Sequence, residues 1–106
     1  MRKGNIYGKI PKKLPKELFN TIISGNKIKI ERIVSKKHKS PKGYWYDQNE
    51  NEFVMILKGN AELTFIVNKK FKKLKMRKGN YVNIPSHLKH RVDKTSKETV
   101  WLAIFY

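Results

Sequence analysis

Gly79-Asn80-Tyr81-Val82-Asn83-Ile84-Pro85-Ser86-His87-Leu88-Lys89-His90 decides how the rest of this chain is read. A turn glycine leads into a short apolar strand, a proline stops it, and two histidines follow. Upstream, Asp47–Gly59 has the complementary make-up. There Asp47, Gln48, Glu50 and Glu52 precede the apolar run Phe53–Leu57, which stops at Gly59-Asn60. Groups able to coordinate or titrate therefore sit at strand ends, held by rigid elements on both sides.

A chain of 106 residues is one domain, long enough to bury a core without staples. It has no cysteine, which excludes disulfides, thiolate metal sites and cysteine nucleophiles. No apolar run approaches the roughly 18 residues of a membrane-spanning helix. Met1-Arg2-Lys3-Gly4-Asn5 is basic with no apolar stretch behind it, so a signal peptide is not expected and a cytoplasmic protein is. The 25 Lys and Arg against 8 Asp and Glu leave a net charge of +17, an electrostatic footprint for nucleic acid or another polyanion. Only Arg2, Arg32, Arg77 and Arg91 are arginines, and the lysines run along the whole chain. Both features point to weak, salt-sensitive binding without sequence preference.

Residues 1–26 read as an N-terminal extension punctuated by Gly4, Gly8, Pro11, Pro15 and Gly25. Inside it Lys16–Ile23 is expected to form two helical turns, because Leu18, Phe19, Ile22 and Ile23 fall at helical spacing behind Pro15. That helix would pack on the outside of the domain or reach a neighbouring subunit. Residues 27–106 change to strand patterning. Lys27–Val34 begins by alternating charged and apolar side chains, and Glu52–Lys58 is a continuous apolar strand. Ala61–Val67 and Lys70–Met76 flank a hairpin turn at Asn68-Lys69-Lys70. Tyr81–Ile84, a strand from His90, and Thr99–Tyr106 complete an all-β sandwich or small barrel. The last strand is apolar on both faces, so it belongs inside a closed double sheet or across a homodimer interface.

The two quoted segments resemble the paired signatures of the cupin superfamily. The second signature has Gly, Pro and His at the positions of Gly79, Pro85 and His90, and the first ends in a Glu and a Gly, here Glu52 and Gly59. With the strands around them they span Lys27–Tyr106, and the phrases YWYDQNENEFVMILKGNAEL and IPSHLKHRV look like small single-domain cupins of unassigned function. The resemblance implies a double-stranded β-helix, or jelly-roll barrel, with a pocket at one mouth. It also implies a divalent metal held by two histidines spaced His-x-His before the glutamate. Here those positions are Tyr46 and Gln48, or Trp45 and Asp47, depending on the gap. A second departure is His87, where the family has a glycine. Histidine is among the side chains that tolerate positive φ, so the turn can survive.

Two readings of the acidic cluster stand side by side: a solvated loop among lysines, or part of a site. As a site, Glu52 and His90 join Gln48, with Asp47 and His87 as alternates, around one Mn, Fe, Ni or Zn ion. His87 joins His90 only if Pro85–Leu88 makes a true turn. Without a metal, Glu52 and His90 form an acid–base pair in a mouth lined by Trp45, Tyr46, Tyr81 and His87. Isomerase, decarboxylase or dioxygenase-type chemistry on a small organic acid or sugar-like molecule would fit, as would a sensor without turnover. His38, on a lysine-rich loop, reads as inert, and Trp101 and Tyr106 as core or interface aromatics.

Overall fold

The computed structural model describes all 106 residues, and every regular element is a strand. In chain order these are β1 (Leu18–Ser24), β2 (Lys29–Ser35), β3 (Glu52–Lys58), β4 (Asn60–Val67), β5 (Lys70–Arg77), β6 (Tyr81–Ile84), β7 (His90–Thr95) and β8 (Thr99–Phe105). They form a five-stranded sheet, β1-β2-β8-β3-β6, facing a three-stranded sheet, β5-β4-β7, with every pairing antiparallel. Inward positions of both sheets meet in a core that includes Val54, Ile56, Leu63, Phe65, Met76 and Trp101. Strand density and turn spacing predict a sandwich or small barrel, and the structure takes the jelly-roll form that the resemblance implies.

The expected helix at Lys16–Ile23 is instead the edge strand β1. Its register on β2 shifts between Thr21 and Ile23, so Ile22 is an extra, bulged residue. Leu18 and Ile22 are half-buried while Phe19 and Ile23 are exposed, so apolar side chains on both faces of this strand fall at the spacing of a helical face. Pairing with β2 also satisfies backbone groups that two isolated helical turns would leave half-open.

The preceding residues lie against the same chain. Arg32, buried on β2, donates from Nη1 to the carbonyls of Ile6 (3.1 Å) and Gly8 (2.5 Å), while its Nε and Nη2 hold Asn20 Oδ1. Lys36 Nζ reaches the carbonyls of Pro11 and Lys12. β8 lies between β2 and β3, with neighbours on both edges. Both edges of β8 are therefore paired within one chain.

One turn closes the far end of the barrel and another shapes the mouth. At Gly59 (φ 80°) an added Cβ would run into Ser96 Oγ and the Glu98 carbonyl, so the β3–β4 turn requires glycine. His87 does adopt positive φ (64°), and Leu88 N–H bonds back to the Pro85 carbonyl at 3.1 Å. Pro85–Leu88 is therefore a true turn, and it carries the chain from β6 in one sheet to β7 in the other.

Candidate functional site

Antiparallel pairing gathers the start of β3, the end of β8, the end of β6 and the start of β7 at one end of the barrel. Glu52 is opposite Ile84 and Phe105, and His90 is opposite Phe65. The segment before β3 joins them: Tyr46 and His90 exchange backbone hydrogen bonds of 2.8 and 3.2 Å, and the His87 amide donates to the Gln48 carbonyl at 2.8 Å. Asn51 Oδ1 accepts from the Ser86 amide at 3.0 Å and ties the proline turn to the same loop. The mouth is thus built from main-chain bonds between segments far apart in sequence.

Within it, His90 Nε2 is 3.5 Å from Glu52 Oε1, both side chains being almost wholly buried. His90 Nδ1 faces the Leu88 carbonyl at 2.8 Å, and a carbonyl can only accept, so Nδ1 carries a proton. The ring is sandwiched by Tyr46 (centroids 5.4 Å) and Phe65 (5.9 Å). Burial on its own would lower the His90 pKa. The hydrogen bond to Glu52, the Leu88 carbonyl and the Glu52 charge outweigh it and raise the pKa above its ordinary value. Gln48 Nε2 approaches Glu52 Oε1 from the other side at 3.5 Å, leaving Gln48 Oε1 as a buried acceptor with no donor.

These groups line a cavity of about 80 Å³ that opens at the mouth. Its walls are largely apolar, from Phe19, Ile33, Trp101 and Phe105 among others, and it contains no lysine or arginine. Glu17, just before β1, supplies a second carboxylate and is hydrogen-bonded by Ser35 Oγ. Ser35 Oγ also accepts from Trp101 Nε1 at 3.1 Å. Burial first, then the charges of Glu17, Tyr44 and Glu52, push the Tyr46 phenol up, so it stays protonated at neutral pH.

Of the residues singled out in the sequence, Tyr46, Gln48, Glu52 and His90 converge on this cavity. Asp47 and His87 do not. They pair with each other at 2.7 Å on the surface, because the turn that admits positive φ swings His87 away from His90. Trp45 and Tyr81 do not line the cavity either. Trp45 lies against Phe71, and Tyr81, 67% exposed, packs on Phe53. Glu17, Phe19 and Trp101 went unassigned to the site in the sequence. Glu17's only signal was an acid beside a strand in a strongly basic chain, and Trp101 had already been read as a core or interface aromatic.

The donors present fit a divalent ion poorly. No group of three or more His, Asp or Glu side chains is arranged to hold one. His90 is a single imidazole, Glu17 is engaged by Ser35, and Gln48 turns its amide N–H toward Glu52.

A family model for the cupin domain matches residues 32–105, and the chain belongs to that family. Among solved structures, it resembles a candidate mannose-6-phosphate isomerase of Ralstonia eutropha JMP134 at 34% identity and TM-score 0.91, covering 99% of this chain and 97% of that one. A cupin superfamily protein of Desulfitobacterium hafniense DCB-2 superposes at 15% identity and TM-score 0.74, over 91% of this chain and 82% of that one. The hydroxypropylphosphonic acid epoxidase of S. wedmorenis does so at 12% identity and TM-score 0.72, over 88% of this chain and 52% of that one. The latter two likenesses speak for the fold alone. No curated protein sequence matches the chain. No helix is long and apolar enough to cross a membrane.

Proposed function

We propose that the barrel mouth binds a small, uncharged, hydroxylated molecule of sugar-like type and moves a proton on it. The carrying observation is the Glu52–His90 contact, at 3.5 Å, on the wall of a largely apolar cavity. The polar atoms facing the cavity are mostly acceptors: two carboxylates and the unpartnered Gln48 Oε1. A ligand rich in hydroxyl donors satisfies them, and flat sugar faces suit aromatic walls such as Trp101. A free organic acid would meet the carboxylates of Glu17 and Glu52 with only His90 to offset the repulsion. The 34%-identical relative named for a sugar phosphate supports the sugar-like half of this reading. Its phosphate would have to lie outside the cavity, which has no basic side chain apart from His90.

Chemically, His90 as imidazolium donates a proton from Nε2 to a ligand carbonyl oxygen, while a Glu52 oxygen takes the proton from the adjacent carbon. Glu52 then returns that proton to the former carbonyl carbon while the neutral His90 Nε2 takes the proton of the other enediol hydroxyl. This forms the new carbonyl and restores both groups, with burial strengthening their interaction. Saturation-transfer NMR against a panel of neutral aldoses and ketoses in D₂O tests this. Binding together with deuterium entering beside the carbonyl is expected. Binding without deuterium would leave a sensor in place of an enzyme, and no binding of any sugar would end the proposal.

A further inference from the structure

The outer face of the three-stranded sheet carries a second constellation, on the other side from the mouth cavity. Because Ala61, Leu63 and Phe65 enter the core, their neighbours on β4 face outward, and direct pairing puts Lys75, Lys73 and Phe71 of β5 on the same side. On β7, Arg91 is opposite Thr64 and Lys94 opposite Glu62. Trp45 lies across this face, stacked on Phe71 with centroids 5.8 Å apart and planes 22° from parallel. The Arg91 guanidinium carbon sits 4.5 Å from the Trp45 ring centre and 5.6 Å from that of Phe71. Phe71 remains 68% exposed, so the stack continues into solvent.

Charge on this face is as one-sided as its chemistry. Both acids here are already occupied: Asp93 by Arg91 Nε (2.7 Å) and Thr64 Oγ1, Glu62 by Lys94 (4.0 Å). Lys73 and Lys75, the β5 lysines on this face, have no acidic partner. Two parallel aromatic rings with a guanidinium on them, bordered by unpaired ammonium groups, match an unpaired base next to its phosphates.

We propose that this face binds single-stranded nucleic acid, with Phe71 and Trp45 as the stacking platform and the β5 lysines tracking the backbone. Paired bases offer no free π-face to such a platform, so duplex should bind more weakly. An acidic membrane would match the lysines but leave the flat stack without a partner. The inference uses no residue of the mouth cavity and stands apart from the function proposed for it.

The test is fluorescence anisotropy of a labelled oligo-dT of about 20 nucleotides, long enough to exceed usual site sizes of about 4–16, titrated with the full-length protein over a salt series. Binding with quenching of tryptophan emission is expected. Phe71→Ala should weaken it about tenfold or more, given the usual worth of one stacked base, and Phe71→Trp should restore it. Replacing Lys73 and Lys75 together with Gln should flatten the log–log salt slope by about 1.4, two contacts at roughly 0.7 each. Phe71 is exposed, so circular dichroism should be unchanged in the variant. The proposal is overturned if Phe71→Ala binds as the native protein does, or if polyphosphate or anionic vesicles bind as tightly as the oligonucleotide. It is equally overturned if the oligonucleotide does not bind and Phe71→Ala instead abolishes a concentration-dependent increase in mass, which would make the face a contact between copies.

Discussion

Trp45 and Tyr46 are consecutive, yet their rings serve opposite sides of the same sheet. Tyr46 turns inward, stacks on His90 and is held among Glu17 and Glu52. Trp45 turns outward, under Arg91 and against Phe71. The alternation of an extended backbone does this, and the bridge between Tyr46 and His90 fixes which residue goes which way. Sorting by face also sorts charge. In a chain of net charge +17, the inner site collects carboxylates and a single imidazole, and the outer face collects cations. One thin sheet therefore separates an acceptor-rich pocket from a donor-rich surface.

The largest expected effect tests the inner side. Glu52→Gln and His90→Gln should each cut deuterium exchange on a bound sugar at least about 100-fold, in keeping with the usual worth of a general acid or base. Circular dichroism should show the fold retained, and an unchanged exchange rate would remove the acid–base pair from the reading. Chelator treatment should leave that exchange intact. A stoichiometric metal found by elemental analysis, and lost on either substitution, would instead restore a metal to the site.

Next in size is the contrast between the two neighbouring rings. Tyr46→Ala removes a partly buried ring stacked on His90 and should cost about 2–3 kcal/mol in urea unfolding. Trp45→Ala should cost less, about 1 kcal/mol, because its outer face already meets solvent. Equal losses would mean the two faces are not energetically distinct.

A smaller effect follows pH. With its folded pKa raised above 6.5, His90 contributes stability that is complete below its unfolded value and fades as pH rises through the folded one. The stability gap between the native protein and His90→Gln should therefore shrink from about pH 5.5 toward pH 8.5. A gap that widens as pH rises would contradict a raised His90 pKa. Smallest of all, Asp47→Asn removes a surface pair and should change stability by no more than about 0.5 kcal/mol, leaving sugar binding untouched.

Much of the barrel was legible because strands announce themselves locally. The apolar run closed by Gly59, the four residues before Pro85, and the Asn68-Lys69 turn, whose residues both adopt positive φ, each carry their signal within a few positions. β1 was misread because this edge strand carries apolar side chains on both faces, at a spacing that local pattern assigns to a helix. At the site, Glu52 and His90 were legible through motif position, whereas Asp47 and His87 looked equally suitable. Only the left-handed turn at His87 separates the two histidines. Glu17 joins the cavity through the strand pairing that brings the start of β1 against Ser35, a contact 18 residues apart that no local pattern carries.

The amino-acid order by itself determined where the chain extends, where it turns, and that acids and histidines gather at strand ends. Periodicity and turn chemistry act between near neighbours, so they can be read without coordinates. Which face each side chain takes, and which distant strand it meets, was decided only by the tertiary structure. A one-residue bulge or a single positive φ inverts every later side chain at little local cost, and only the closing of the two sheets selects the register in which Glu52 meets His90.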